Sequence, residues 1–361
     1  MTPRQLIHVF AAVALATAAT ACNGADDVGS DDAATDPAAT VTAEPTTTST
    51  TTTPPTSTTS TTSTTSTTST TSTTLTSTTS TAARDVPADD RPTIVAGSLD
   101  FRDYELVVPS ARDGSTPLPL VVLLHGYTAS GAVQESYFRL TPLAEERGFL
   151  LVYPDGTFDP TGSRFWNATD ACCNFADDEV DDVAYLLGII DQVSGEYEVD
   201  PDRVHLIGHS NGGFMAYRMA CEHADVIASI VSLAGATYAD PDVCSPSEPV
   251  GVRQVHGTLD VVIRYEGGEL IGTAHPGAFD TAATWAAANG CDATTEVTDA
   301  ARDLDSEIVG ADTTVTVFAG CPAGGQVELW TIEGGSHVPA LSDEFRTGAV
   351  DALLDRPKPS G

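Results

Sequence analysis

The stretch Val204-His205-Leu206-Ile207-Gly208-His209-Ser210-Asn211-Gly212-Gly213 decides the reading of this chain. An apolar, β-branched run enters a Gly-x-Ser-x-Gly turn, and the segment from Gly212 to about Glu222 then follows with helical character. A strand-to-helix turn this sharp leaves no room for side chains two positions before and two after its apex. Gly208 and Gly212 meet that demand. The turn lifts the Ser210 hydroxyl above a sheet and points a helix N-terminus at it, where developing negative charge is favoured.

Working outward, strand and helix signals alternate. Tyr104–Val108 reads as an early strand, and Leu118–Leu124 (LPLVVLL) as a strand buried on both faces. Thr141–Arg147 reads as a helix, followed by the apolar run Phe149–Tyr153, which Pro154-Asp155-Gly156 breaks. A helix is expected from Asp178 to about Val193, with Ala184, Leu187 and Ile190 on its buried face. Further strands are expected at Ile227–Leu233, Val250–His256 and Val327–Ile332. This alternation predicts an α/β fold with a mostly parallel central sheet and helices on both faces.

A serine hydroxyl is a weak nucleophile, so it needs a base and a group that orients the base. In this architecture both follow the serine, the acid first. Asp260 closes His256-Gly257-Thr258-Leu259-Asp260 after a strand, and His337 closes Gly334-Gly335-Ser336-His337 after the last strand. Ser210, Asp260 and His337 are the expected triad. The expected oxyanion donors are the N–H groups of Asn211 and Tyr127, the latter in the loop after Leu118–Leu124. His125, His209 and His256 are read as structural, and the Asp181-Asp182 pair as a helix cap rather than paired carboxylates.

The 361-residue chain carries a formal charge of −35, from 16 basic and 51 acidic side chains. That balance excludes a nucleic-acid face and electrostatic adsorption to anionic lipid. Residues 1–22 read as a lipoprotein-type signal segment ending Ala19-Thr20-Ala21-Cys22, with Cys22 as the expected lipidation site; a simple small-residue cleavage site is the alternative. Residues 23–85 are acidic and then almost pure Thr and Ser, a composition expected to remain a disordered tether. Residues 86–361 are long enough for one α/β domain. Membrane contact is expected only through the anchor, which places the domain outside the cell, and the protein is expected to be a monomer.

Six cysteines fall in that domain, and an even number in an exported protein favours disulfides, with roughly fifteen connectivities possible. Local placement favours Cys221 with Cys244 and Cys291 with Cys321. The neighbours Cys172 and Cys173 are left either bonded to each other or as free thiols. No CxxC or HxxxH spacing supports a metal, and no cofactor is required.

The motifs together resemble the secreted polyhydroxybutyrate depolymerase and feruloyl esterase-like branch of the α/β-hydrolases. They are LLHGY (Leu123–Tyr127), YPDG (Tyr153–Gly156), Trp166-Asn167 with Cys172-Cys173, VDDVAYL (Val180–Leu186), VDPDRVHLIGHSNGG (Val199–Gly213), HGTLD (His256–Asp260), WAAANGC (Trp285–Cys291) and GGSH (Gly334–His337). The resemblance implies an α/β-hydrolase fold and carboxylic-ester hydrolysis through an acyl-enzyme on Ser210. Many relatives carry a Trp soon after the catalytic His, where this chain has Val338-Pro339-Ala340. Depolymerases of solid polyester carry a separate binding domain, so feruloyl or acetyl esters of polysaccharide, or short hydroxyalkanoate esters, suit this layout better. A peptidase or envelope acyltransferase on the same fold, and a non-catalytic surface binding protein, are the competing expectations.

Overall fold

The computed structural model describes residues 91–358. Cys22, the expected signal segment and the Thr/Ser tether lie outside them.

The elements in chain order are β1 (Thr93–Leu99), β2 (Arg102–Val108), β3 (Leu118–Leu124), α1 (Gly131–Phe138), α2 (Thr141–Arg147), β4 (Leu150–Pro154), β5 (Thr157–Phe158) and β6 (Arg164–Phe165). Then follow α3 (Asp182–Glu196), β7 (Val199–His209), α4 (Asn211–Glu222), β8 (Ser229–Leu233), β9 (Gly251–Gly257), β10 (Gly268–Leu270) and β11 (Thr273–His275). The last are α5 (Ala278–Asn289), β12 (Thr295–Arg302), β13 (Thr313–Phe318), β14 (Val327–Ile332) and α6 (Asp343–Leu354).

Ten strands form one sheet in the order β1-β2-β4-β3-β7-β8-β9-β14-β13-β12. The pairs from β4 through β14 are parallel. The outer pairs at each edge are antiparallel. Parallel strands need crossover helices on both faces, which is why β3, β4, β8 and β9 are almost entirely buried and why β3 and β4 read as unbroken apolar runs. The packing forms two buried clusters, one including Trp166, Phe214 and Trp285, the other Phe138, Trp330 and Phe345.

Two local expectations are corrected. The helix expected from Asp178 starts at Asp182, and its buried stripe is Val183, Leu186, Ile189, Ile190 and Val193; Ala184 is exposed and Leu187 half-buried. Packing against the sheet, rather than the acidic approach to the helix, sets its phase. Asp181 caps this helix by accepting the Ala184 N–H at 2.9 Å. Asp182 instead points inward, pairs with Arg102 and accepts the Asn167 N–H at 2.6 Å. Asp182 therefore anchors a loop rather than capping the helix.

Cys221–Cys244 and Cys291–Cys321 are disulfides, and Cys172 is bonded to Cys173 rather than left as a free thiol. The two longer bridges, across 23 and 30 positions, each restrict the unfolded chain by about 3–4 kcal/mol on a loop-entropy account.

Candidate active site

Ser210 sits at the apex between β7 and α4 with φ 53° and ψ −119°, a strained conformation for a residue with a side chain. The turn is possible because its flanks are bare. A Cβ on Gly208 would lie 2.3 Å from the Gly212 carbonyl oxygen, and one on Gly212 would lie 2.2 Å from the Leu124 carbonyl oxygen. The Ser210 N–H donates to Leu233 at 2.8 Å, which ties the apex to β8.

The chain returns twice to this apex. After β9, Asp260 projects from a turn closed by its own N–H on the Gly257 carbonyl. After β14, Gly334 at φ 82° turns the chain so that His337 reaches Ser210. His337 Nδ1 lies 2.7 Å from Asp260 Oδ2, and His337 Nε2 lies 3.0 Å from Ser210 Oγ. Since Asp260 Oδ2 can only accept when ionised, Nδ1 carries the proton and Nε2 is free to accept from the hydroxyl.

Four donors converge on the Asp260 carboxylate. Oδ1 accepts the N–H groups of Val262 at 2.8 Å and Ile263 at 2.9 Å. Oδ2 accepts from His337 and, at 3.2 Å, from His256 Nε2. Burial by itself would raise the Asp260 pKa, but the hydrogen bonds and charges of His256 and His337 outweigh it and hold the carboxyl well below its ordinary range.

Neighbouring residues that the sequence reading left as structural have defined tasks here. His256 shares its Nε2–H between Asp260 and the Ile263 carbonyl at 2.7 Å, while its Nδ1 accepts from Gln254 at 3.1 Å. His209 Nε2 donates to the His337 carbonyl at 2.8 Å, fixing the loop that carries the imidazole. His125 Nδ1 donates to Gly126 at 2.8 Å and its Nε2 accepts the Gly156 N–H at 2.9 Å. The Asn211 side chain clasps Trp166, accepting its N–H at 2.7 Å and donating to its carbonyl at 3.0 Å. Gln134 accepts the Gly126 N–H at 3.2 Å and so holds the loop of Tyr127, whose hydroxyl donates to Asp159 at 2.6 Å. The HG and HGTLD motifs flag His125 and His256. Nothing in the local sequence flags the Asn211 clasp or Gln134.

Buried histidines give the fold a pH signature. Burial lowers His125 to about 4, and His205 and His209 to about 3, from 6.5. The unfolded chain therefore takes up protons near pH 6.5 that the folded chain refuses until pH 3–4, so falling pH through that window favours unfolding. Thermal melts are expected to show Tm declining steadily from pH 7 to pH 5, and a Tm that is flat or rises over that range contradicts the burial of these rings.

A cavity of about 330 Å³ opens beside Ser210 and His337, lined by Tyr127, Val133, Phe175, Ile263, Leu270 and the Cys172–Cys173 pair among others. A hydroxyl, an imidazole and a buried carboxylate in series, above the carboxyl ends of parallel strands and beside an apolar cavity, define the nucleophile-elbow class of α/β enzyme fold. The chain belongs to the alpha/beta hydrolase family, whose model matches residues 121–347.

Among its relatives, NocK of Nocardia uniformis subsp. tsuyamanensis, whose name classes it with the esterases, is 32% identical over 51% of this chain and 52% of its own. Feruloyl esterase B of Piromyces equi is 28% identical over 63% of this chain and 41% of its own. The bifunctional acetylxylan esterase/xylanase XynS20E of Neocallimastix patriciarum is 32% identical over 46% of this chain and 22% of its own. The chain thus spans about half the length of these relatives or less. The solved acetyl xylan esterase from Aspergillus awamori aligns with a TM-score of 0.49 at 15% identity, covering 71% of this chain and 99% of that one. The relatives agree with the feruloyl esterase side of the resemblance drawn from the motifs.

Proposed function

We propose that the protein is an exported serine carboxylic-ester hydrolase that works through an acyl-enzyme on Ser210. The observation that carries this reading is His337 bridging Asp260 at 2.7 Å and Ser210 Oγ at 3.0 Å. Ser210 Oγ attacks the ester carbonyl while His337 Nε2 takes its proton, and Asp260 stabilises the imidazolium that results. The negative charge on the former carbonyl oxygen is met by the N–H groups of Asn211, in the first turn of α4, and Tyr127. Collapse expels the alcohol, protonated by His337, and leaves the acyl group on Ser210. Water then attacks by the same route in reverse and releases the acid.

The apolar cavity suits the acyl portion of the ester. Relatives named for feruloyl and acetylxylan esters favour polysaccharide-linked esters as substrates, with short hydroxyalkanoate esters as a further class. The apolar leader ending at Cys22 and the Thr/Ser tether support a domain held outside the cell by a lipid anchor.

The test is acid release from methyl ferulate, acetylated xylan and hydroxybutyrate oligomers by the purified, folded protein. Turnover of at least one, abolished by a fluorophosphonate, is expected. A folded protein inert on all three contradicts the reading.

A further inference from the structure

We propose that the Cys172–Cys173 disulfide forms a specificity-determining wall of the cavity, a sulfur face that selects aryl acyl groups over short aliphatic ones. This rests on reading the cavity beside Ser210 as the acyl site. Both cysteines are almost fully buried, at 2% and 5% exposure, yet both line that cavity together with Ser210 and His337. They therefore border the space open to an acyl group bonded to Ser210, and a bridge between chain neighbours holds no distant parts of the chain together.

The chemistry of this wall is specific. A disulfide has no strong hydrogen-bond donor and no charge, but its sulfurs are polarisable and make favourable contacts with aromatic ring edges. Tyr127 and Phe175, which line the same cavity, pack edge to face with ring centroids 5.6 Å apart. Sulfur and aromatic surface thus share one lining, a setting in which a planar ring gains contacts that a methyl group cannot reach.

The wall is also fixed relative to the nucleophile. The Cys173 N–H donates to the Trp166 carbonyl at 3.4 Å, and the Phe175 N–H donates to the Cys173 carbonyl at 2.9 Å. Trp166 is in turn clasped at both its N–H and its carbonyl by Asn211, the residue following Ser210. The acyl wall and the proposed oxyanion donor therefore belong to one hydrogen-bonded unit, and a ring held by the sulfur face is held in register with the attacking hydroxyl.

Esters sharing one leaving group isolate this effect: ethyl cinnamate, ethyl 3-cyclohexylacrylate and ethyl acetate. The Cys172→Ala/Cys173→Ala variant is expected to lower the ratio of kcat/KM on ethyl cinnamate to kcat/KM on ethyl acetate by about tenfold. Equal losses on both esters, or no loss on ethyl cinnamate, overturn the proposal. If that variant does not fold, Cys172→Ser/Cys173→Ser is read in the same way. A third measurement needs no variant: wild-type protein is expected to favour ethyl cinnamate over its saturated-ring analogue by at least about threefold, and parity overturns the proposal. Wild-type protein inert on all three ethyl esters overturns the inference; the ester-hydrolase reading falls with it only if methyl ferulate, acetylated xylan and hydroxybutyrate oligomers are also left intact.

Discussion

Ser210→Ala is expected to lower kcat for ester hydrolysis by about 10⁶-fold, the loss seen when the nucleophile of a comparable triad is removed. The expectation follows from what Ser210 touches. Its hydroxyl contacts His337 Nε2 at 3.0 Å, so removing the oxygen removes the bond-forming atom and leaves the imidazole with nothing to activate. The fold has little stake in that oxygen. The strained φ is common to Ser and Ala, the N–H on Leu233 remains, and the change in stability is expected to stay below about 1 kcal/mol. Activity and melting temperature are therefore expected to separate, with catalysis lost and Tm nearly unchanged. Retention of a tenth or more of wild-type kcat contradicts the assignment.

Asp260→Asn is expected to lower kcat at neutral pH by about 10⁴-fold, through the wrong tautomer of the base. The carboxylate accepts on both oxygens, from two backbone N–H groups on one and from His337 and His256 on the other. An amide offers only one acceptor. The backbone donors cannot reorient, so they keep the carbonyl oxygen and the NH₂ group turns towards the imidazoles. His337 must then accept at Nδ1 and carry its proton on Nε2, where it can no longer take one from Ser210. Loss of the negative charge removes the stabilisation of the imidazolium as well. Kinetics of the variant, with far-UV circular dichroism as a check on folding, test this; a loss under tenfold shows that Asp260 does not orient the base.

Much of the sheet was legible because parallel strands must be apolar on both faces. The apolar runs Leu118–Leu124 and Val327–Ile332 coincide with β3 and β14 to the residue. The edge strands were not, for the same reason inverted. β1 is mostly solvent-facing, and β12 is written in the polar sequence TEVTDAAR, so neither carries a strong apolar signal. Helix α1 has no clear sequence signal because Gly131-Ala-Val-Gln-Glu-Ser-Tyr-Phe lacks a clean apolar stripe.

The candidate site divides along a similar line. Ser210, Asp260 and His337 were legible because each sits in a Gly-containing turn after a strand, and their order along the chain is fixed by the fold. The contacts that hold them were not. His209 on the His337 carbonyl spans 128 positions and Asn211 on Trp166 spans 45, and such pairings exist only once the sheet has assembled. Asp182 shows the limit of local reasoning: its neighbour caps the helix as expected, while its own carboxylate turns to Arg102, 80 positions earlier.

An acyl-enzyme on Ser210 requires that Ser210 be the reactive nucleophile of the folded protein. Peptide mapping by mass spectrometry after treatment with a fluorophosphonate tests it most directly, with the Ser210→Ala variant as control. A single phosphonyl adduct is expected on the peptide containing Ser210, formed in step with loss of activity and absent from the variant. An adduct on another residue, or inactivation of the wild type with Ser210 unmodified, contradicts it.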